Sequence, residues 1–326
     1  MKLFLGLLES ASPHQTRIFG EVDGKFLDLK LAYAAYLAQN PDSTNVYGLA
    51  SYYFPQSITA FLERGEPARK ALVEVVSFAC MNKAGILRGP AGEKALYDPS
   101  EIRLQPPIRY PEKSFVIGFA DKARMETPPK SDLPTGYYKL PQTFVTGGAP
   151  ILWPIFSKEV DADACLALVI GKAGRRVAPE KAWDHVAGVT LLIDITARDI
   201  NQREGATANN LLGKNFPSST ALGPAVLLTE SRNEIENLVI ELFVDGRARQ
   251  RFTLRECVFS VEQIIARWSM LGIKPGDFIA IGASMVLQGQ RLQQPVALTV
   301  GSTMRCASSE IGELTHSVLP GKGARA

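Results

Sequence analysis

The chain has 326 residues, with 36 Lys and Arg against 33 Asp and Glu, for a formal charge of +3. That length allows a full hydrophobic core and a natural division into a small lobe and a larger domain. The near-neutral balance, with no Lys/Arg block interleaved with aromatics, argues against nucleic acid as a partner. No stretch approaches the roughly 18 apolar residues of a membrane span.

The opening MKLFLGLLESAS joins a lysine to an apolar run, but Leu3–Leu8 falls short of the roughly 7–15 apolar residues of a signal-peptide core. It reads as a first strand, paired with RIFGEV across a polar turn. Asp23-Gly24 between alternating apolar residues predicts a hairpin. LKLAYAAYLAQ and ITAFLERGEPARKALVEVVSFA are helical and complete a small N-terminal α/β domain over residues 1–85. Residues 86–112 are dense in Pro and Gly and read as a linker.

From Ser114 onward short strands dominate: SFVIGFA, ACLALVIG, VTLLIDI, AVLLT, LVIELFVDG, ARQRFTL, FIAIGASM and VALTVGS. A second hairpin turns at Asp245-Gly246. VEQIIARWSML is the clearest helix, stopped by Gly272. This pattern predicts an α+β, β-rich core over 113–320, followed by a short tail at 321–326. Four widely spaced cysteines (Cys80, Cys165, Cys257, Cys306) form no CxxC pair. They argue against a zinc knuckle or a disulfide framework and point to a reducing compartment, the cytoplasm.

The chemistry concentrates between Asp163 and Pro224. Two apolar strand-like runs each carry an acidic residue near an end, Asp163 and Asp194, and Arg198-Asp199 and Lys214 follow. Acidic residues at strand ends, with cations arriving from the next loop, are how proteins hold a hard metal beside an anionic substrate.

DACLALVIGK, IDITARDIN, GKNFPSSTALGP, VDGRARQ, IKPGDFIAIGA and EIGEL follow one another in an order and spacing that resemble the fumarylacetoacetate hydrolase superfamily. TAFLERGEPA in the leading region is similar to that family's small first domain. The resemblance implies a mixed β-roll core that usually dimerises, so a homodimer is expected. It also implies Mg²⁺ or Mn²⁺ held by three carboxylates and small 2-oxo acids or β-diketo compounds as substrates. The metal there polarises carbonyls and stabilises an enolate.

Carried over position by position, Asp194 matches the third ligand and Asp163 stands for the first, where Glu is usual. Cys165 stands for the second Glu. Mg²⁺ prefers oxygen donors, and a thiolate suits softer ions. Cys165 therefore reads in three ways: a buried filler beside a weakened or lost metal, a ligand to a softer ion, or a reactive thiol in the vacated space. Arg198 and Lys214 match pocket cations that neutralise substrate oxygens, although Arg198 could equally form a structural ion pair. Lys139, in YYKLPQTFV, falls where the family often has F-x-K-P and reads as a second substrate-facing cation. Asn201 replaces a motif Gln. Ser284 is the nearest hydroxyl to the family's Gly-Thr, which here reads Gly282-Ala283. In the lid segment GFADKARME, Lys122 stands where a His would be and Met125 where a Glu would be, so the dyad that activates water is missing. His14, His185 and His316 lie outside these motifs, and His185 reads as structural.

Hydrolysis needs an activated water, whereas tautomerisation, decarboxylation, dehydration or a biosynthetic condensation or cyclisation needs only an enolate or a polarised carbonyl. The expectation is a divergent enzyme of the second kind, with Mg²⁺ or Mn²⁺ if it holds a metal, or with none because Cys165 stands at a ligand position. The alternatives are a conventional Mg/Mn-dependent C–C hydrolase and a non-catalytic small-molecule-binding homologue.

Overall fold

A computed structural model of the chain describes residues 1–9, 15–82, 87–118, 133–205, 210–229, 231–282, 286–287, 290–291 and 297–321. The first unit contains β1 (Lys2–Leu8), β2 (Arg17–Val22), β3 (Lys25–Asp28), α1 (Leu29–Leu37), α2 (Val46–Tyr53), α3 (Ile58–Glu63) and α4 (Glu66–Met81). β1 and β2 pair antiparallel, Phe4 against Phe19, as the alternation predicts. The β2–β3 turn places Asp23 at φ 49° and Gly24 at φ 73°, the two left-handed positions of the expected hairpin. Asp28 ends β3 and caps α1, accepting the Leu31 amide at 3.0 Å while Arg17 grips its other oxygen at 2.7 Å.

Residues 86–112 depart from the linker expectation. They carry β4 (Leu96–Tyr97), paired with β3, and β5 (Ile102–Gln105), paired with β1. A two-residue strand shows no alternation, so its Pro and Gly surroundings dominate the sequence signal.

Next come β6 (Ser114–Ile117), β7 (Gly136–Tyr138), β8 (Phe144–Val145), β9 (Ile151–Leu152), β10 (Val160–Ile170), β11 (Val186–Ala197), α5 (Arg198–Gly205) and β12 (Thr220–Leu228). The remainder is α6 (Arg232–Asn237), β13 (Ile240–Val244), β14 (Arg247–Phe252), α7 (Val261–Trp268), β15 (Phe278–Ile281), β16 (Val286–Leu287), β17 (Gln290–Arg291), β18 (Thr303–Ser308) and β19 (Gly312–Leu319). Among the described residues a 12-stranded sheet runs β4-β3-β2-β1-β12-β11-β10-β15-β6-β7, with β5 also on β1 and β8 on β12. A 5-stranded sheet, β14-β13-β18-β19-β9, covers part of it. The architecture is the mixed, strand-rich α+β fold expected.

The long ladder of β10 on β11 is the spine, and its alternation divides two cores. Ala162, Ala164, Leu166 and Leu168 join Leu191, Ile193 and Ile195 in the core shared with the 5-stranded sheet. Cys165, Ala167, Val169 and Leu192 face the opposite way, into a core shared with the N-terminal helices and built around Leu29, Tyr33, Phe54 and Phe61. The leading unit and the larger one are thus joined by a continuous sheet and a common core, since β1 pairs with β12 through Lys2–Leu227 and Leu3–Val226.

Candidate active site

The face of the spine that carries Cys165 changes character toward one end. The register sets Cys165 opposite Leu192, Asp163 opposite Asp194 and Asp161 opposite Thr196. Period-2 geometry puts all six side chains on one face. Apolar packing against the N-terminal helices ends at Cys165, and two carboxylates follow it immediately.

Gln250 of β14 fixes the backbone at that junction. Its amide accepts the Ala164 N–H at 2.7 Å and donates to the Ala164 carbonyl at 3.0 Å, so it pairs with β10 as a neighbouring strand would. Gly282, just beyond β15, lets the chain pass close by. A Cβ there would lie 2.7 Å from both the Ala164 oxygen and Cys165 Sγ.

Asp194 is buried at the centre. Lys139 Nζ reaches its Oδ1 at 2.8 Å, Lys214 Nζ reaches Oδ2 at 2.8 Å, and the Tyr137 hydroxyl donates to Oδ2. Burial alone would raise the Asp194 carboxyl, but the two ammoniums overcome it and hold it at about 2. Tyr137 and Lys139 arrive from the end of β7, and Lys214 from the loop before β12. Asn215 ties these two segments together, accepting the Leu140 N–H at 2.7 Å and donating to the Tyr138 carbonyl at 3.1 Å.

The two lysines are not equivalent. An ammonium has three N–H donors. Lys139, with a side chain 0% exposed, directs its donors at Asp194 Oδ1 and at the carbonyls of Lys214 and, at 3.1 Å, Ser219. This corrects the expectation of a substrate-facing Lys139: its ammonium is enclosed and saturated, and burial draws its pKa down. Lys214 donates to Asp194 and, at 2.7 Å, to Thr196 Oγ1, and lies over the Tyr137 ring at 4.6 Å. Among the described residues its third N–H has no hydrogen-bond acceptor, which leaves one donor for a bound oxygen.

Arg198 continues the row at the start of α5. It pairs with the buried Asp161, so the structural ion pair exists, while about a third of its side chain (32%) remains exposed. Asn201 lies one helical turn on, its Oδ1 buried without a hydrogen-bond partner among the described residues. Lys122 and Ser284 fall outside the described residues, as does His14. His185 bonds the Lys172 carbonyl through Nδ1 at 2.9 Å, a structural role as expected.

Cys165 is only 3% exposed, and burial together with Asp194 and Asp163 pushes its thiol well above the usual range. That corrects the reactive-thiol reading, which requires an exposed, stabilised thiolate. Tyr137, Thr196, Ser219, Asp161 and Gln250 escaped sequence reasoning. Thr196 and Asp161 were within reach of it, since each lies two residues along its strand from a recognised carboxylate.

The Fumarylacetoacetate (FAA) hydrolase C-terminal family matches residues 116–319, well over half of the chain. The chain belongs to this family. It is an enzyme of the fumarylacetoacetate hydrolase superfamily, and it is similar to a mitochondrial oxaloacetate tautomerase of Xenopus laevis, 31% identical over 85% of this chain and 84% of that one. The oxaloacetate tautomerase YisK of Bacillus subtilis (strain 168) is 32% identical over 68% and 75%. In fold the chain is similar to fumarylacetoacetate hydrolase from Exiguobacterium antarcticum, with TM-score 0.71 and 21% identity over 98% and 99% of the two chains. It is likewise similar to a maleylpyruvate hydrolase from Sphingobium, with TM-score 0.70 and 19% identity over 99% and 100%, determined with manganese(II) and pyruvate.

The family's metal is poorly matched by the residues present. Asp194 has hydrogen-bond donors on both oxygens, and Cys165 offers an enclosed sulfur. Among the described residues no group of three or more His, Cys, Asp or Glu is placed to hold an ion. Nor is any described helix long and apolar enough to cross a membrane.

Proposed function

We propose that the protein is a 2-oxo acid tautomerase that interconverts the keto and enol forms of a small dicarboxylate of the oxaloacetate type. The observation that carries this reading is the Lys214 ammonium, buried and fixed by Asp194 and Thr196 with one N–H that has no hydrogen-bond acceptor among the described residues. In the forward direction a base removes a proton from the carbon next to the ketone. The C–H electron pair becomes the new C=C bond, the carbonyl oxygen takes the negative charge, and a proton then adds to that oxygen. Lys214 supplies the donor aimed at the oxygen as charge develops, which is where a fixed cation lowers a barrier most. Asp163, partly exposed and opposite Asp194 across the ladder, is the carboxylate placed to accept the carbon-bound proton. Arg198, oriented by Asp161, offers a guanidinium for a substrate carboxylate.

Two further points support this reading. Tautomerisation needs no activated water, in keeping with the lid segment that has Lys122 and Met125 in place of the dyad. Relatives about 30% identical carry the name oxaloacetate tautomerase. A homodimer is part of the proposal. Ile155 (65% exposed), Leu211 (62%), Phe156 and Leu212 are apolar side chains left at the surface, and the Phe156 ring packs edge-on to Phe216 of the Lys214 loop.

The test is the disappearance of enol absorbance when the enol form of oxaloacetate is mixed with enzyme, run beside a C–C cleavage assay on acylpyruvates. Accelerated ketonisation without cleavage is the expected result. Acylpyruvate cleavage with no effect on the enol would overturn the proposal in favour of a hydrolase.

A further inference from the structure

We infer that this chain has given up the family's divalent cation, leaving the Lys139 and Lys214 ammoniums, which match the family's own lysines, and the added Tyr137 hydroxyl to neutralise Asp194 unaided. The inference concerns the composition of the site and stands whichever reaction the site performs.

Three departures from the family pattern converge on one spot. Asp163 is a methylene shorter than the usual Glu, and Cys165 replaces a carboxylate with sulfur. Tyr137 is the third. It occupies the first position of the segment that resembles F-x-K-P, so a hydroxyl has been added where a phenyl ring is usual. That hydroxyl falls on Asp194 Oδ2, the oxygen Lys214 also holds, and leaves Oδ1 to Lys139. These three donors take up most of the roughly four lone-pair sites of the carboxylate, so an ion would compete with two ammoniums and a phenol for Asp194.

Charge balance leads to the same conclusion. Asp163 and Asp194 match Lys139 and Lys214, and Cys165 contributes a thiol, so the cluster is neutral as built. A divalent ion would leave two uncompensated positive charges in a largely buried site, where unpaired charge is costly. A soft ion fares no better. Cys165 Sγ is packed against Gly282, where a Cβ would lie only 2.7 Å away, and the sulfur is enclosed.

The experiment is a Mn²⁺ titration of the full chain followed by the electron paramagnetic resonance of free Mn²⁺, repeated on the variant Asp163→Glu/Cys165→Glu/Tyr137→Phe. At about 1 mM free ion, the weak end of the affinity range of carboxylate sites for hard cations, the wild type should retain far less than one equivalent. The triple variant, if folded by circular dichroism, should bind at least about tenfold more tightly because one carboxylate returns at position 165, the one at 163 regains its length, and the phenol leaves. Uptake of close to one equivalent by the wild type would overturn the inference, as would a folded triple variant no better than wild type. If the triple variant does not fold, the wild-type titration decides alone. Neither readout depends on turnover, so a failure here is separable from a failure of the tautomerase assay.

Discussion

Two buried carboxylates in this molecule look alike and work differently. Asp28, at the end of β3, gives one oxygen to the first turn of α1 and the other to Arg17, whose side chain is 23% exposed. Asp194, three residues before the end of β11, caps no helix. Both of its oxygens go to side chains delivered from two distant loops, and one of those side chains keeps a donor in reserve. The N-terminal carboxylate completes a secondary-structure element. The central one organises cations that no element requires, and such a gathering of charge in a core is costly unless it serves a site.

Neutralising each carboxylate should expose this difference. Asp194→Asn leaves two buried ammoniums without a countercharge and should cost about 3–5 kcal/mol in urea unfolding, the usual penalty for breaking a buried pair. Asp28→Asn keeps a competent helix cap and weakens only a partly solvated pair, so about 1 kcal/mol is expected. Similar losses at the two positions would dissolve the contrast.

Lys214→Met should spare folding more than Lys139→Met, because Lys139 also satisfies the carbonyls of Lys214 and Ser219. Its effect belongs in kcat, with a fall of roughly 10²–10³-fold if the spare donor meets developing charge. A change in KM alone would assign Lys214 to ground-state binding.

Acid gives a third handle. Asp194 is held at about 2, below the roughly 3.9 of an unfolded Asp. Its contribution of about 2–3 kcal/mol is therefore complete above pH 4 and disappears as pH falls through 2. Stability curves measured between pH 5 and pH 2 should show this loss in the wild type and its absence in Asp194→Asn. The smallest effect is expected at Cys165. Cys165→Ala should cost about 1 kcal/mol, and the native thiol should react with a disulfide reagent far more slowly than the exposed Cys80.

Much of this was legible in the amino-acid order. Hairpins turned at Asp23-Gly24 and Asp245-Gly246 because those pairs accept left-handed backbone, and Asp163 and Asp194 could be placed on one face because strands repeat every two residues. What stayed hidden depends on long-range packing. The resemblance to F-x-K-P brings Lys139 to the site, but nothing local to YYKLP says that its ammonium is enclosed on Asp194, 55 residues away, or that the Tyr137 hydroxyl joins it across 57. Gln250 closes the VDGRARQ motif, but its pairing with the backbone of Ala164, 86 residues away, emerges only from the packing of β14 against β10. β4 and β5 escape the sequence for different reasons: two residues are too few for β4 to carry a pattern, and the short alternation of β5, Ile102–Gln105, is hidden between Pro99 and Pro106-Pro107.

If Lys214, rather than a divalent ion, is the positive centre of the site, the ketonisation rate of enol oxaloacetate in excess chelator will show it, measured for the wild type and for Lys214→Met. Chelation should leave the wild-type rate unchanged while the substitution lowers it about 100-fold or more. Activity abolished by chelator and restored by Mn²⁺, with Lys214→Met still active, would contradict it.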